Sequence, residues 1–163
     1  MVDSSGSFFS LHILIEQTAG LNGTDGETMD PKIKINALGE TKYTTVKKGV
    51  APSTSLIWNE HYFFSKSVQS LSQLDDEFVE ICVVDSSKTF RSTSVGSFTL
   101  NMAAIYHAEG RKISHTWNVL QNRGSQKDYD KAQGYLKFSA SLSKDDEPKV
   151  SLFSNSHPSK QSH

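Results

Sequence analysis

Apolar and polar residues alternate along much of the chain. Leu11, Ile13 and Ile15 share one phase while His12 and Glu16 take the other, the pattern of a half-buried strand. Ile33, Ile35 and Ala37 alternate with Lys32, Lys34 and Asn36, and Leu136, Phe138, Ala140 and Leu142 alternate with Tyr135, Lys137, Ser139 and Ser141. Residues Phe78 to Val84 are nearly continuous in apolar character and rich in β-branched side chains, which predicts a central strand buried on both faces. Thr41–Val46, His61–Phe64, Val95–Leu100 and Thr116–Leu120 complete a set of eight short strands.

Turn chemistry separates these runs. Gly20, Gly23 and Gly26 mark a loop, Gly39-Glu40 a tight hairpin turn, and Gly49 to Ser55 a connection containing Pro52. Helical signal is confined to Val68, Leu71 and Leu74 at a spacing of three, and to Asn101 as the cap of a short turn through Ile105. Strands with loops and no long helix predict an all-β fold, an eight-stranded antiparallel β-sandwich.

Composition narrows the picture. The 163 residues suit one domain, and 36% hydrophobic content supplies one sizeable core. A net charge of −1 excludes a uniformly basic nucleic-acid binder. The single cysteine, Cys82, excludes an internal disulfide and fits a reducing, cytoplasmic setting. The first residues lack a basic n-region, and the longest apolar runs fall far short of the roughly 20 residues a membrane span needs. The domain is expected over residues 9–145, with a flexible start at 1–8 and a serine-rich tail or linker at 146–163.

Several motifs occur in a recognisable order. Met29-Asp30-Pro31 follows the first glycine loop, Trp58-Asn59-Glu60 opens an aromatic strand, Val83-Val84-Asp85 enters a loop, and Val95-Gly96-Ser97-Phe98 leaves it. In that order the chain resembles a C2 domain. Gly134-Tyr135-Leu136-Lys137 closes the domain, and the first strand runs directly into loop one, which resembles the type II strand permutation. Together with Leu74-Asp75-Asp76-Glu77-Phe78, Ile105-Tyr106 and Trp117-Asn118-Val119-Leu120, these motifs are similar to the second C2 domain of ferlins. The resemblance implies a non-catalytic module of a membrane-trafficking or vesicle-fusion protein, peripheral to a membrane. Ferlins carry several C2 domains and a membrane anchor, so the chain reads as either a piece of a longer protein, flanked by its other domains, or a small independent relative.

Calcium-binding C2 domains hold the ion between loops one and three with about five aspartates, because a hard cation needs six to eight oxygens. By that resemblance Asp30 and Asp85 occupy two ligand positions, and Asp25 stands one place from a third. Thr24, Ser87 and Thr93 fill the remaining places, while Lys88 and Arg91 bring positive charge to the same loop. The expectation is no calcium cofactor, with Asp30 and Asp85 ending their strands and accepting backbone hydrogen bonds.

Residues 31–50 carry Lys32, Lys34, Lys42, Lys47 and Lys48 against Glu40, a local balance of +4. In C2 domains the corresponding strands form a face that can bind phosphoinositide headgroups. With Ile33, Ile35 and Val46 inward, alternation sends Lys32, Lys34, Tyr43 and Lys47 outward. Such a cluster attracts anionic lipid weakly and without calcium, at about 1 kcal/mol per basic residue. Phe90 between Lys88 and Arg91 adds an aromatic tip to the third loop. An ordinary solvated strand face is the alternative reading of the lysines, and Phe90 packing back onto its loop is the alternative for the tip.

Trp58 and Trp117 are expected to anchor turns and core. The six histidines show no metal-ligand spacing, Cys82 lies in the most buried strand, and no phosphate-binding or nucleophile-elbow motif is present. No catalytic constellation emerges. A module that binds a protein partner, through a sheet edge or a loop at Lys112–Gln133, and neither lipid nor calcium, is the second functional reading.

Overall fold

The computed structural model describes residues 7–22, 28–87, 93–122 and 132–145. Eight strands form: β1 (Ser7–Ala19), β2 (Pro31–Ala37), β3 (Glu40–Tyr43), β4 (Leu56–Val68), β5 (Phe78–Asp85), β6 (Thr93–Asn101), β7 (Lys112–Gln121) and β8 (Ala132–Lys144). Every pairing is antiparallel, and the strand order is β3-β2-β5-β6-β7-β8-β1-β4. Among the described residues the pair Ser97–Gln121 alone joins β6 to β7, so the strands make two four-stranded sheets. β1 leads directly into the first loop and β8 inserts between β7 and β1, the type II permutation that the resemblance implied.

Alternation supplies the core. Phe9, Leu11, Ile13 and Ile15 of β1 meet Leu136, Phe138 and Ala140 of β8 from one sheet. Ile33 and Ile35 of β2 and Val79, Ile81 and Val83 of β5 come from the other. Cys82 and Val84 are buried on the opposite phase, as expected of a central strand. Burial pushes the Cys82 thiol above its usual pKa, so the group packs as an apolar side chain. The Val68, Leu71 and Leu74 spacing becomes a 3-10 turn over Leu71–Asp76 that buries Leu74. Asn101 caps the helix α1 (Met102–Tyr106) by accepting the Ala103 N–H at 2.7 Å.

Glycine is required at the turn and at one contact. The β2–β3 hairpin turns on Leu38 and Gly39, both at positive φ, one residue before the expected Gly39-Glu40 pair. At Gly134 (φ 138°) a Cβ would lie 2.9 Å from Leu21.

Bulges decide which side chains face outward. β1 gains Glu16 relative to β8, and β7 gains a residue between Ile113 and Thr116, where His115 has φ 51°. Ser139 of β8 sits between these two bulges. Its hydroxyl donates to Glu16 Oε2 at 2.7 Å and accepts the His115 N–H at 2.7 Å, and His115 Nδ1 lies 2.8 Å from Glu16 Oε1. The phase shift on β7 turns Trp117 outward, where it is 45% exposed, so only Trp58 is a core tryptophan. The expected loop at Lys112–Gln133 is strand β7 as far as Gln121.

Candidate functional site

The lysine-rich segment folds into β2, β3 and the extended chain leading to Val50. Lys34 lies opposite Tyr43 in β3 and Cys82 in β5, on the face away from Ile33 and Ile35. Lys32 joins them, its ammonium 4.6 Å from the centre of the Tyr43 ring. Tyr43 is 50% exposed. Glu80 shares the phase of Cys82 on β5, opposite Asn36, so an acid stands beside the two lysines on this face.

Lys47 does not join them. Thr44 N–H bonds the Ile33 carbonyl at 2.9 Å and Lys47 N–H bonds that of Pro31 at 2.9 Å, so three steps along one segment oppose two along β2. This one-residue bulge inverts the phase after Thr44. Val46, expected inward, is exposed, and Lys47 turns toward β4 with its ammonium 5.0 Å from the Trp58 ring centre. Strand β3 accordingly ends at Tyr43 rather than reaching Val46. Lys42 donates to the Phe63 carbonyl of β4, and Lys48 lies 3.7 Å from Asp30 Oδ2. Of the five lysines behind the +4 balance, only Lys32 and Lys34 share the outer face.

Glu60 explains where the rest of the segment goes. Its carboxylate accepts Thr45 N–H at 3.0 Å, Thr45 Oγ1–H at 2.6 Å and the Tyr62 hydroxyl at 2.6 Å. Partial burial opposes its ionisation. The bonds from Thr45 and Tyr62, with help from Lys47, outweigh that and hold the carboxyl below its usual range. Burial and the bond to Glu60 push the Tyr62 hydroxyl up. Trp58, Glu60, Tyr62 and Phe64 share one strand phase. A carboxylate among aromatic residues on an inward phase signals a need for partners, which the sequence reading passed over.

At the loop end, Asp85 Oδ1 accepts the N–H groups of Asp30 and Ser87, each at 2.9 Å. Asp30 Oδ1 accepts Gly49 N–H at 2.8 Å, and the Asp30 carbonyl accepts both Ser86 N–H at 2.9 Å and Ser86 Oγ–H at 2.8 Å. The two aspartates therefore tie together the ends of three connections. Among the described residues no group of three His, Cys, Asp or Glu side chains stands close enough to hold a metal ion. Asp25, Lys88, Phe90 and Arg91 lie outside the described residues. Among the described residues no helix is long and apolar enough to cross a membrane.

The sandwich, its strand permutation and the paired loop aspartates define a C2 domain. The C2 family model matches residues 9–119, and the chain belongs to that family. Within it the chain is similar to myoferlin of Mus musculus, 27% identical over 114 residues, which are 70% of this chain and 5% of that protein. It is 24% identical to myoferlin of Homo sapiens over 139 residues, 85% of this chain and 6% of that protein. The chain thus spans only a small fraction of these relatives' length. Among solved structures, the SMP and paired C2 domains of extended synaptotagmin 2 match with a TM-score of 0.64 at 14% identity, covering 86% of this chain and 28% of that one.

Proposed function

We propose that this C2 domain is a non-catalytic module that contacts anionic lipid headgroups without calcium, in a ferlin-like protein of membrane trafficking. One observation carries the reading: Lys32, Lys34 and Tyr43 stand together on one outward sheet face. Two cations beside an exposed aromatic with a polar tip suit phosphate and its surrounding water, at about 1 kcal/mol per lysine. Calcium independence draws on the loop aspartates, whose oxygens already accept backbone N–H groups and whose Asp30 neighbours the Lys48 ammonium. In the same reading Lys88, Phe90 and Arg91 add charge and an apolar tip at the β5–β6 loop.

Sedimentation with phosphoinositide liposomes tests it. Binding is expected to fall with salt and to ignore a chelator, and unchanged binding after Lys32→Glu with Lys34→Glu contradicts the assignment. A calorimetric titration showing micromolar calcium uptake, lost in Asp85→Asn, contradicts the calcium-independent part.

A further inference from the structure

The outer face of sheet β7-β8-β1-β4 lies on the opposite side of the sandwich from Lys32 and Lys34. The bulges at Glu16 and His115 set its register. Trp117, Lys137, Gln17 and Ile57 form one row across four strands, and Val119, Tyr135 and Ala19 form the next. Trp117 and Val119 are each 45% exposed, Tyr135 44% and Ile57 56%. Trp117, Val119 and Tyr135, on the adjoining strands β7 and β8, make a contiguous patch, and Ile57 stands apart from it across Lys137 and Gln17.

The charge on this face is mainly positive. Lys137 stands within the patch and Lys112 further along β7. On the described outward positions of these four strands the acid is Glu16, which Ser139 and His115 hold inward with only 12% of its side chain exposed. An apolar, cationic surface calls for an anionic, apolar occupant. A second copy would bring another face of the same net charge against it. Its two aromatic rings stand on separate strands, Trp117 on β7 and Tyr135 on β8. Indole and phenol rings beside a lysine are the side chains that settle at the headgroup level of a bilayer.

We propose that this face is a second lipid contact, laid on an anionic bilayer with Trp117 and Tyr135 in the interfacial layer and Lys137 against a phosphate. It is independent of the lysine face of β2. Vesicles of equal parts phosphatidylcholine and phosphatidylserine, with and without chain-brominated phosphatidylcholine, test it by tryptophan fluorescence. Wild-type emission is expected to be quenched by the brominated lipid and Trp117→Phe emission to be unaffected, since Trp58 is buried. Trp117→Ser with Tyr135→Ser is expected to weaken partition about tenfold. Vesicle binding without quenching, or with partition unchanged in the double variant, overturns this proposal and leaves the Lys32–Lys34 reading standing. Quenching that persists in Lys32→Glu with Lys34→Glu at undiminished partition does the reverse. Concentration-dependent self-association that Trp117→Ser abolishes, with no quenching by vesicles, assigns the face to a protein contact and overturns the proposal as well.

Discussion

Thr44 meets Ile33 through both its backbone and its side chain. Ile33 N–H bonds Thr44 Oγ1 at 2.8 Å, and Thr44 N–H bonds the Ile33 carbonyl at 2.9 Å. The hydroxyl replaces a rung of the β2–β3 ladder at the point where the bulge begins. The phase reversal that follows it carries Lys47 away from the outer face and toward Trp58.

Thr44→Val is therefore expected to leave the Ile33 N–H buried and unpaired, costing about 1–3 kcal/mol. Thr44→Ser, which keeps the hydroxyl, is expected to recover most of that loss. Urea midpoints of the three proteins check the point. Equal midpoints for the valine and serine variants would show that the hydroxyl is not the active feature.

Glu60→Gln is expected to weaken the anchoring of Thr45 and Tyr62, at about 1–2 kcal/mol for the loss of charge-assisted bonds at a partly exposed position. The sign with pH follows from the lowered folded pKa. Glu60 contributes its full stabilisation above the ordinary carboxylate range, and that contribution is lost as pH falls through the lowered value. Denaturant titrations of both proteins from neutral to strongly acid pH are expected to converge. A gap that persists in acid rules out the carboxylate as its source.

His12 of β1 lies 2.8 Å from His61 of β4, Nε2 to Nδ1, and stacks on Phe63 at 4.4 Å between ring centres. Burial, then the charge of His61, lowers its pKa from the ordinary 6.5 to about 4. Between those two values the unfolded chain binds the proton and the folded one does not, so stability rises with pH across that window. The effect is on the order of 1 kcal/mol after allowance for solvent screening at this partly exposed position. His12→Gln is expected to show a flatter stability profile between pH 4 and 6.5, and parallel profiles would count against the assignment.

Where the period of two runs unbroken, the sequence is read correctly. Ile33 and Ile35 go inward and Lys32 and Lys34 outward because β2 contains no bulge. Strict alternation misplaces Lys47 because one extra residue near Thr44 reverses the phase, and that residue leaves no mark in hydropathy. Trp117 is misplaced for the same reason on β7, where the bulge at His115 turns a large aromatic side chain outward. Asp30 and Asp85 are legible as strand ends because the order of motifs locates the loops. Their cross-loop bonds require three distant segments to be brought together. The Glu16, Ser139 and His115 cluster joins residues up to 123 positions apart and depends on two bulges, so nothing local announces it.

In the proposed function the bulge leaves Lys32 and Lys34, and not Lys47, to meet anionic lipid. Flotation of wild type, Lys32→Ala with Lys34→Ala, and Lys47→Met on phosphoinositide liposomes, each with calcium and with chelator, tests it directly. At about 1 kcal/mol per lysine, partition is expected to fall about thirtyfold in the double variant and to change less than about twofold in Lys47→Met, alike in both buffers. Binding that requires calcium, or that survives the double substitution and is lost with Lys47, would contradict it.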